Sequence, residues 1–169
     1  MNDQILKNLA SQAGVMLLQQ GLMLVSAESC TGGWLGQSIT AVVGSSNWYD
    51  RGFITYATLA KHEMLGVSNL TLQQYGAVSE QTAREMADGA LARSHAQAAL
   101  SITGIAGPDG GTAEKPVGMV CFAWIMKDGH ACSETRYFSG DREEVRRQAV
   151  ATALQGLINL LRETAPMLA

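Results

Sequence analysis

Ser26-Ala27-Glu28-Ser29-Cys30-Thr31-Gly32-Gly33 stands between Gly21–Val25, an apolar run of strand length, and a segment in which Trp34, Leu35, Ser38 and Ile39 recur at helical spacing. The octet therefore reads as a strand-to-helix turn, the joint from which α/β folds are built. Small polar side chains and two glycines leave its backbone open to a ligand. The helix that follows points free N–H groups and the positive end of its dipole at whatever enters. An anion or a developing oxyanion suits such a place. An ordinary capped helix, with Ser29 or Thr31 as N-cap, would use the same residues.

Working outward, Ile5, Leu6, Leu9, Ala13, Met16 and Leu17 share one face of a helix over 3–20, with Gly21 at its C-terminal end. Beyond the octet and its helix, 43–47 is a loop, and Trp48 and Tyr49 are packing residues. Gly52-Phe53-Ile54-Thr55-Tyr56 has strand composition, and 57–65 is a short helix carrying Lys61 and His62. A connection over 66–76, with a single helical turn, leads to a helix capped by Ser79 that runs from Glu80 to about Ser94. Ala98–Thr103 is a buried strand that opens into the glycine-rich loop 104–111. Two strands, 117–125 and 131–138, meet at Lys127-Asp128-Gly129 in a hairpin. Asp141 and Glu144 form a capping box for a last, long helix. This order predicts a three-layer α/β/α sandwich around a mixed, mainly parallel sheet, folded as one domain over 1–169.

The chain has 169 residues, a formal net charge of −3 and 47% hydrophobic residues, which suits one domain with a sizeable core. Basic residues are dispersed, so a nucleic-acid-binding face is not expected. The three cysteines, Cys30, Cys121 and Cys132, form no CxxC pair, and a reducing compartment suits them. Without a signal peptide at Met1-Asn2-Asp3-Gln4 or an apolar run of spanning length, the expected location is the cytoplasm, with no membrane partner.

Familiar signatures fail. The loop 104–115 lacks the Gly-Lys-Ser/Thr of a P-loop, and Ala106 stands where G-x-G-x-x-G needs glycine. His62-Glu63 opens a zincin motif whose second histidine is replaced by Gly66. His95 and His130 are isolated, so no metal is expected. No histidine accompanies a serine or cysteine in a recognisable triad. A serine can instead be activated by a lysine that burial has kept neutral. Lys61 follows a strand end as the octet does, and parallel strands would place both ends, with Tyr56, on the edge where α/β folds bind ligands. A solvated helix lysine is the alternative reading of the same position.

Ala27–Gly33, Gly52–Tyr56 with Lys61, Gly76-Ala77-Val78-Ser79, Ser101–Gly111 and Lys115-Pro116-Val117-Gly118 together resemble the nicotinamide-nucleotide amidase family. That family is related to the C-terminal domain of the competence-damage protein CinA. The resemblance covers nearly the whole chain, with its motifs in order. It implies the CinA C-terminal fold and deamidation of nicotinamide mononucleotide to nicotinate mononucleotide and ammonia, in bacterial pyridine-nucleotide salvage and without a cofactor. It places the nucleophile at Ser29, the base at Lys61 and a hydroxyl partner at Tyr56. The N-terminal domain of larger CinA proteins is absent from this sequence, which favours a free-standing enzyme.

On this reading Lys61 must titrate about three units below the ordinary lysine value of about 10.4 to act as a base near neutrality. Tyr56 would pass a proton or hold the lysine. Backbone N–H groups around Cys30 and Thr31, in the turn with Gly32 and Gly33, would meet the oxyanion. The substrate's phosphate would sit on the turn at Thr103, Gly104 and Gly107, or on Arg142 where a guanidinium and a helix N-terminus combine; a surface role for Arg142 remains the alternative. Cys30 is the second candidate nucleophile. A homodimer is the expected assembly. A rival from another class is a nucleotide-sensing module that binds through the same loops without cleaving an amide.

Overall fold

The computed structural model describes residues 1–167. Helix α1 (Asp3–Gln20) starts at Asn2, whose side chain accepts the Ile5 N–H, and stops at Gly21 in the left-handed conformation. Strand β1 (Leu24–Glu28), helix α2 (Trp34–Thr40), a 3-10 turn (Ser45–Asn47) and strand β2 (Tyr49–Ile54) follow. Next come α3 (Thr58–Leu65), α4 (Asn69–Tyr75), α5 (Glu80–Ala92), β3 (Ala98–Gly104), β4 (Met119–Met126), β5 (Ala131–Tyr137) and α6 (Arg142–Thr164). The expected capping box at Asp141 and Glu144 opens α6.

The sheet order is β2-β1-β3-β4-β5, with β1 parallel to both its neighbours and β4 antiparallel to both of its own. β4 alone is reversed, so the strands are mainly parallel although the pairings divide evenly. The C-terminal ends of β1, β2 and β3 lie on one edge. On one face, Leu6, Leu17, Leu35, Leu154 and Leu157 from α1, α2 and α6 pack over Leu100, Ile102, Phe122 and Trp124. On the other, Leu65, Ala83, Met86, Ala87 and Ala90 from α3 and α5 pack over Val25, Ala27, Ala99, Cys121 and Ala123. Both faces are thereby covered, as the expected sandwich requires.

Strand limits differ from those read off hydropathy. β1 starts at Leu24, because Leu22 and Met23 are spent leaving α1: Leu22 N–H returns to the Leu17 carbonyl and Met23 N–H donates to the Gln97 side chain. It continues through Ser26, Ala27 and Glu28, which pair with Gly52, Phe53 and Ile54 on one side and Leu100, Ser101 and Ile102 on the other. The buried Ser26 hydroxyl is satisfied by the Tyr49 hydroxyl at 2.6 Å. The turn is therefore Ser29–Gly33. α4 also exceeds the single turn expected, with Ser68 accepting the N–H groups of Leu70 and Thr71.

The start of α2 corrects the expectation of an open helix N-terminus. Its N-cap is Gly33, at φ 104 and with no side-chain cap, so neither Ser29 nor Thr31 caps it. Instead the buried Glu28 carboxylate reaches past the turn. It accepts the N–H groups of Gly33 (3.2 Å), Leu35 (2.9 Å) and Gly36 (3.0 Å) and the Thr31 hydroxyl (2.7 Å). A carboxylate at this position suits the helix dipole, and it leaves no room there for an incoming anion.

Glu28→Gln retains one acceptor oxygen but turns an amide NH2 toward N–H donors. It should lower stability by about 1–3 kcal/mol, read as a fall in the urea midpoint at unchanged m-value. Gly89, inside α5, tests the seating of α3: a Cβ there would run into the Leu65 carbonyl. Alanine gains about 1 kcal/mol over glycine by helix propensity, yet Gly89→Ala should destabilise by about 1–3 kcal/mol through overpacking. A rise in midpoint would show that α3 yields freely.

Candidate active site

Ser29 is the first residue beyond β1, anchored by its N–H to the Ile102 carbonyl at 2.9 Å. Because β2 runs parallel beside β1, the chain leaving β2 passes the same edge before α3 begins, and the second turn's worth of α3 carries Lys61 back over it. Lys61 Nζ lies 2.9 Å from Ser29 Oγ, 2.7 Å from the Thr55 carbonyl and 3.2 Å from the Tyr56 carbonyl. The side chain is 1% exposed. Burial, which penalises the charged form, pushes its pKa down from 10.5 to about 8. The two carbonyls accept from Nζ and hold it against the serine hydroxyl. The solvated reading of Lys61 does not hold.

Tyr56 meets this pair through its backbone. Its carbonyl accepts from Lys61 Nζ and lies 3.4 Å from Ser29 Oγ, whereas its largely exposed hydroxyl accepts from Arg142 Nη2 at 3.1 Å. Arg142 Nη1 donates to the Gly107 carbonyl at 2.8 Å. Among the described residues no carboxylate lies within ion-pairing distance of Arg142. The helix N-terminus expected to act with it is already occupied. Asp141 accepts the Glu144 N–H, Glu144 accepts the Asp141 N–H, and Glu143 and Glu144 add negative charge to the first turn.

A cavity of about 250 Å³ gathers Ser29, Lys61, Tyr56, Cys30, Thr103, Gly104 and Arg142 with Ala77, Val78 and Ala106. A larger neighbouring cavity, about 620 Å³ and mostly apolar, shares Ala106 and Arg142 with it. The expected site residues Thr31, Gly32, Gly33 and Gly107 do not line the smaller cavity. The Gly32 N–H closes the turn onto the Ser29 carbonyl, and the Thr31 hydroxyl and Gly33 N–H belong to Glu28. Thr103 works on the wall, its hydroxyl donating to the Ala77 carbonyl at 2.7 Å, and Lys115 holds the Val78 and Tyr75 carbonyls from behind.

Cys30 is 6% exposed, and burial pushes its thiol up to about 12. Such a thiol is a poor source of thiolate. Its carbonyl, and that of Thr31, accept from Arg146 Nε (3.0 Å) and Nη2 (3.1 Å), while the Arg146 guanidinium lies 5.3 Å from the Trp34 ring centroid. Among the described residues the Thr31 N–H has no hydrogen-bond partner, and the Cys30 N–H has only the sulfur of its own side chain. Sequence reasoning missed Thr55, the wall residues Ala77 and Val78, and Arg146. Thr55 contributes a carbonyl, which leaves no trace in a sequence. Arg146 was detectable, four residues after Arg142 and so on the same helix face.

Among the described residues, no group of three or more His, Cys, Asp or Glu side chains is gathered to hold a metal, and no helix is long and apolar enough to cross a membrane. Residues 6–161 match the family model described as the CinA C-terminal domain. The nicotinamide-nucleotide amidohydrolase PncC of Enterobacter agglomerans is 53% identical over 155 residues, covering 92% of this chain and 94% of that protein. The protein of the same name from Escherichia coli K12 is 52% identical over 157 residues, covering 93% and 95%. The crystal structure of the competence/damage inducible protein CihA from Agrobacterium tumefaciens matches with a TM-score of 0.90 at 47% identity, covering 95% of this chain and 96% of that one. With fold, motifs and near full-length matches in agreement, the chain belongs to the CinA C-terminal domain family.

Proposed function

We propose that this protein is a nicotinamide-nucleotide amidohydrolase that converts nicotinamide mononucleotide to nicotinate mononucleotide and ammonia, serving pyridine-nucleotide salvage. The observation that carries the chemistry is the buried 2.9 Å contact between Ser29 Oγ and Lys61 Nζ. The amidohydrolase relatives supply the substrate.

Neutral Lys61 takes the Ser29 proton as Oγ adds to the carboxamide carbon, giving a tetrahedral oxyanion. The resulting ammonium returns that proton to the amide nitrogen, the C–N bond breaks, and ammonia leaves an acyl-serine. Water then adds to the ester with Lys61 again as base, and collapse regenerates the Ser29 hydroxyl and yields the carboxylate. Tyr56 acts through its carbonyl, which helps to hold Lys61 Nζ beside the serine. The pyridine carboxamide occupies the smaller cavity. The ribose phosphate extends past Arg142 toward the larger one, where the unneutralised guanidinium meets the phosphate.

In an ammonia-coupled assay with nicotinamide mononucleotide, wild type should release ammonia. Ser29→Ala should lose about a thousandfold or more in turnover, while Cys30→Ala keeps most of it. The reverse pattern would reassign the nucleophile, and nucleotide binding without ammonia from wild type would replace the enzyme with a sensing module. The depressed lysine sets a pH dependence with a definite sign: only the neutral amine is a base. Thus kcat/KM should climb about tenfold per pH unit below the lysine pKa and level off above about 8. A profile that declines from neutral to alkaline pH would remove Lys61 as base.

A further inference from the structure

We propose that Arg146 is a positioning residue for this reaction, clamping the turn after Ser29 so that the N–H of Cys30, which lines the cavity, stands ready for the oxyanion. The proposal rests on Ser29 being the nucleophile. In a trans peptide the N–H points opposite to the carbonyl of the same unit. The Thr31 N–H shares its unit with the Cys30 carbonyl, which Arg146 Nε holds at 3.0 Å. The Cys30 N–H shares its unit with the Ser29 carbonyl, which the Gly32 N–H holds at 3.0 Å. Both units therefore have fixed carbonyls; the Thr31 N–H is left with no partner among the described residues, and the Cys30 N–H has only the sulfur of its own side chain, within buried residues. Buried N–H groups are seldom left so. A donor with no firmer partner than its own sulfur, in the cavity wall immediately after the nucleophile, marks a place where an acceptor arrives during the reaction.

Arg146 suits this task for reasons of geometry and charge. Its planar fork spans two successive carbonyls, Cys30 and Thr31, which a lysine cannot do. Among the described residues no carboxylate lies within ion-pairing distance of it, so its charge acts on the peptide units and strengthens their N–H groups as donors. Glu28 holds the same turn from the far side through the Thr31 hydroxyl. Arg147 offers an internal contrast. It lies 4.7 Å from the same Trp34 ring but spends its hydrogen bonds on Asp3 and Glu143 at the surface.

The test is steady-state ammonia release from nicotinamide mononucleotide by wild type, Arg146→Ala and Arg147→Ala, each first shown to be folded by its melting transition. Arg146→Ala should lose about 10- to 100-fold in kcat with KM changed less than about threefold, because the clamp serves a charge that exists only in the transition state. Added guanidinium at low millimolar concentration should recover part of the lost kcat, and Arg147→Ala should stay within about twofold of wild type. If Arg146→Ala does not fold, Arg146→Lys, which keeps the charge and one hydrogen bond, should show the same loss confined to kcat. Unchanged kcat, a loss carried by KM, or no recovery with guanidinium overturns the role of Arg146 and leaves the amidase reading standing. Absence of ammonia from wild type overturns the amidase reading itself.

Discussion

A lysine nitrogen buried against two main-chain carbonyls and a serine oxygen is the contact on which the functional architecture turns. It exists only because β1 and β2 are parallel neighbours whose ends leave the sheet at the same edge. Antiparallel strands would have put Ser29 and the segment bearing Lys61 at opposite ends of the sheet. Burial then shifts the lysine toward its neutral form, while the Thr55 and Tyr56 carbonyls fix where its nitrogen sits. Fold direction, desolvation and main-chain hydrogen bonding thus converge on one atom.

Around Ser29, the turn is held between opposite charges. Glu28 lies on one side, satisfying the first N–H groups of α2 and the Thr31 hydroxyl, and Arg146 lies on the other, satisfying the carbonyls of Cys30 and Thr31. The helix N-terminus is consequently a structural element, neutralised by the chain's own carboxylate, and its dipole is not the source of anion stabilisation. The Cys30 and Thr31 N–H groups are engaged by neither charge. The capping box of α6 draws the same distinction at the far end of the site: a filled helix terminus beside an arginine with no acidic partner among the described residues.

Much of this was legible in the sequence where a short-range rule applied. Asp141 and Glu144 announce their own capping box three residues apart, and Gly21 closes α1 as a terminal glycine does. Ser29 and Lys61 were placed on one edge because each follows a run of strand composition. Strand ends were less legible, since β1 stops where its partners β2 and β3 stop pairing and not where apolar residues end. Glu28 was hidden for a related reason: a carboxylate on a strand acts on a helix beyond an intervening glycine turn, at a spacing no local motif encodes. The hydroxyl of Tyr56 attracted attention that its carbonyl deserved, because a sequence names side chains and is silent about main-chain oxygens.

The pocket draws on chain segments that stretch from Ser29 to Arg142, and the final helix closes it while also packing against the first, with the Gln20 side chain bonded to the Leu161 carbonyl. Contacts of such long sequence separation form late. During synthesis on the ribosome Ser29 emerges early, but Arg142 and Arg146 arrive only with α6. A nascent chain still lacking α6 therefore presents Ser29 without these two cations, and the pocket is assembled only once α6 has been made.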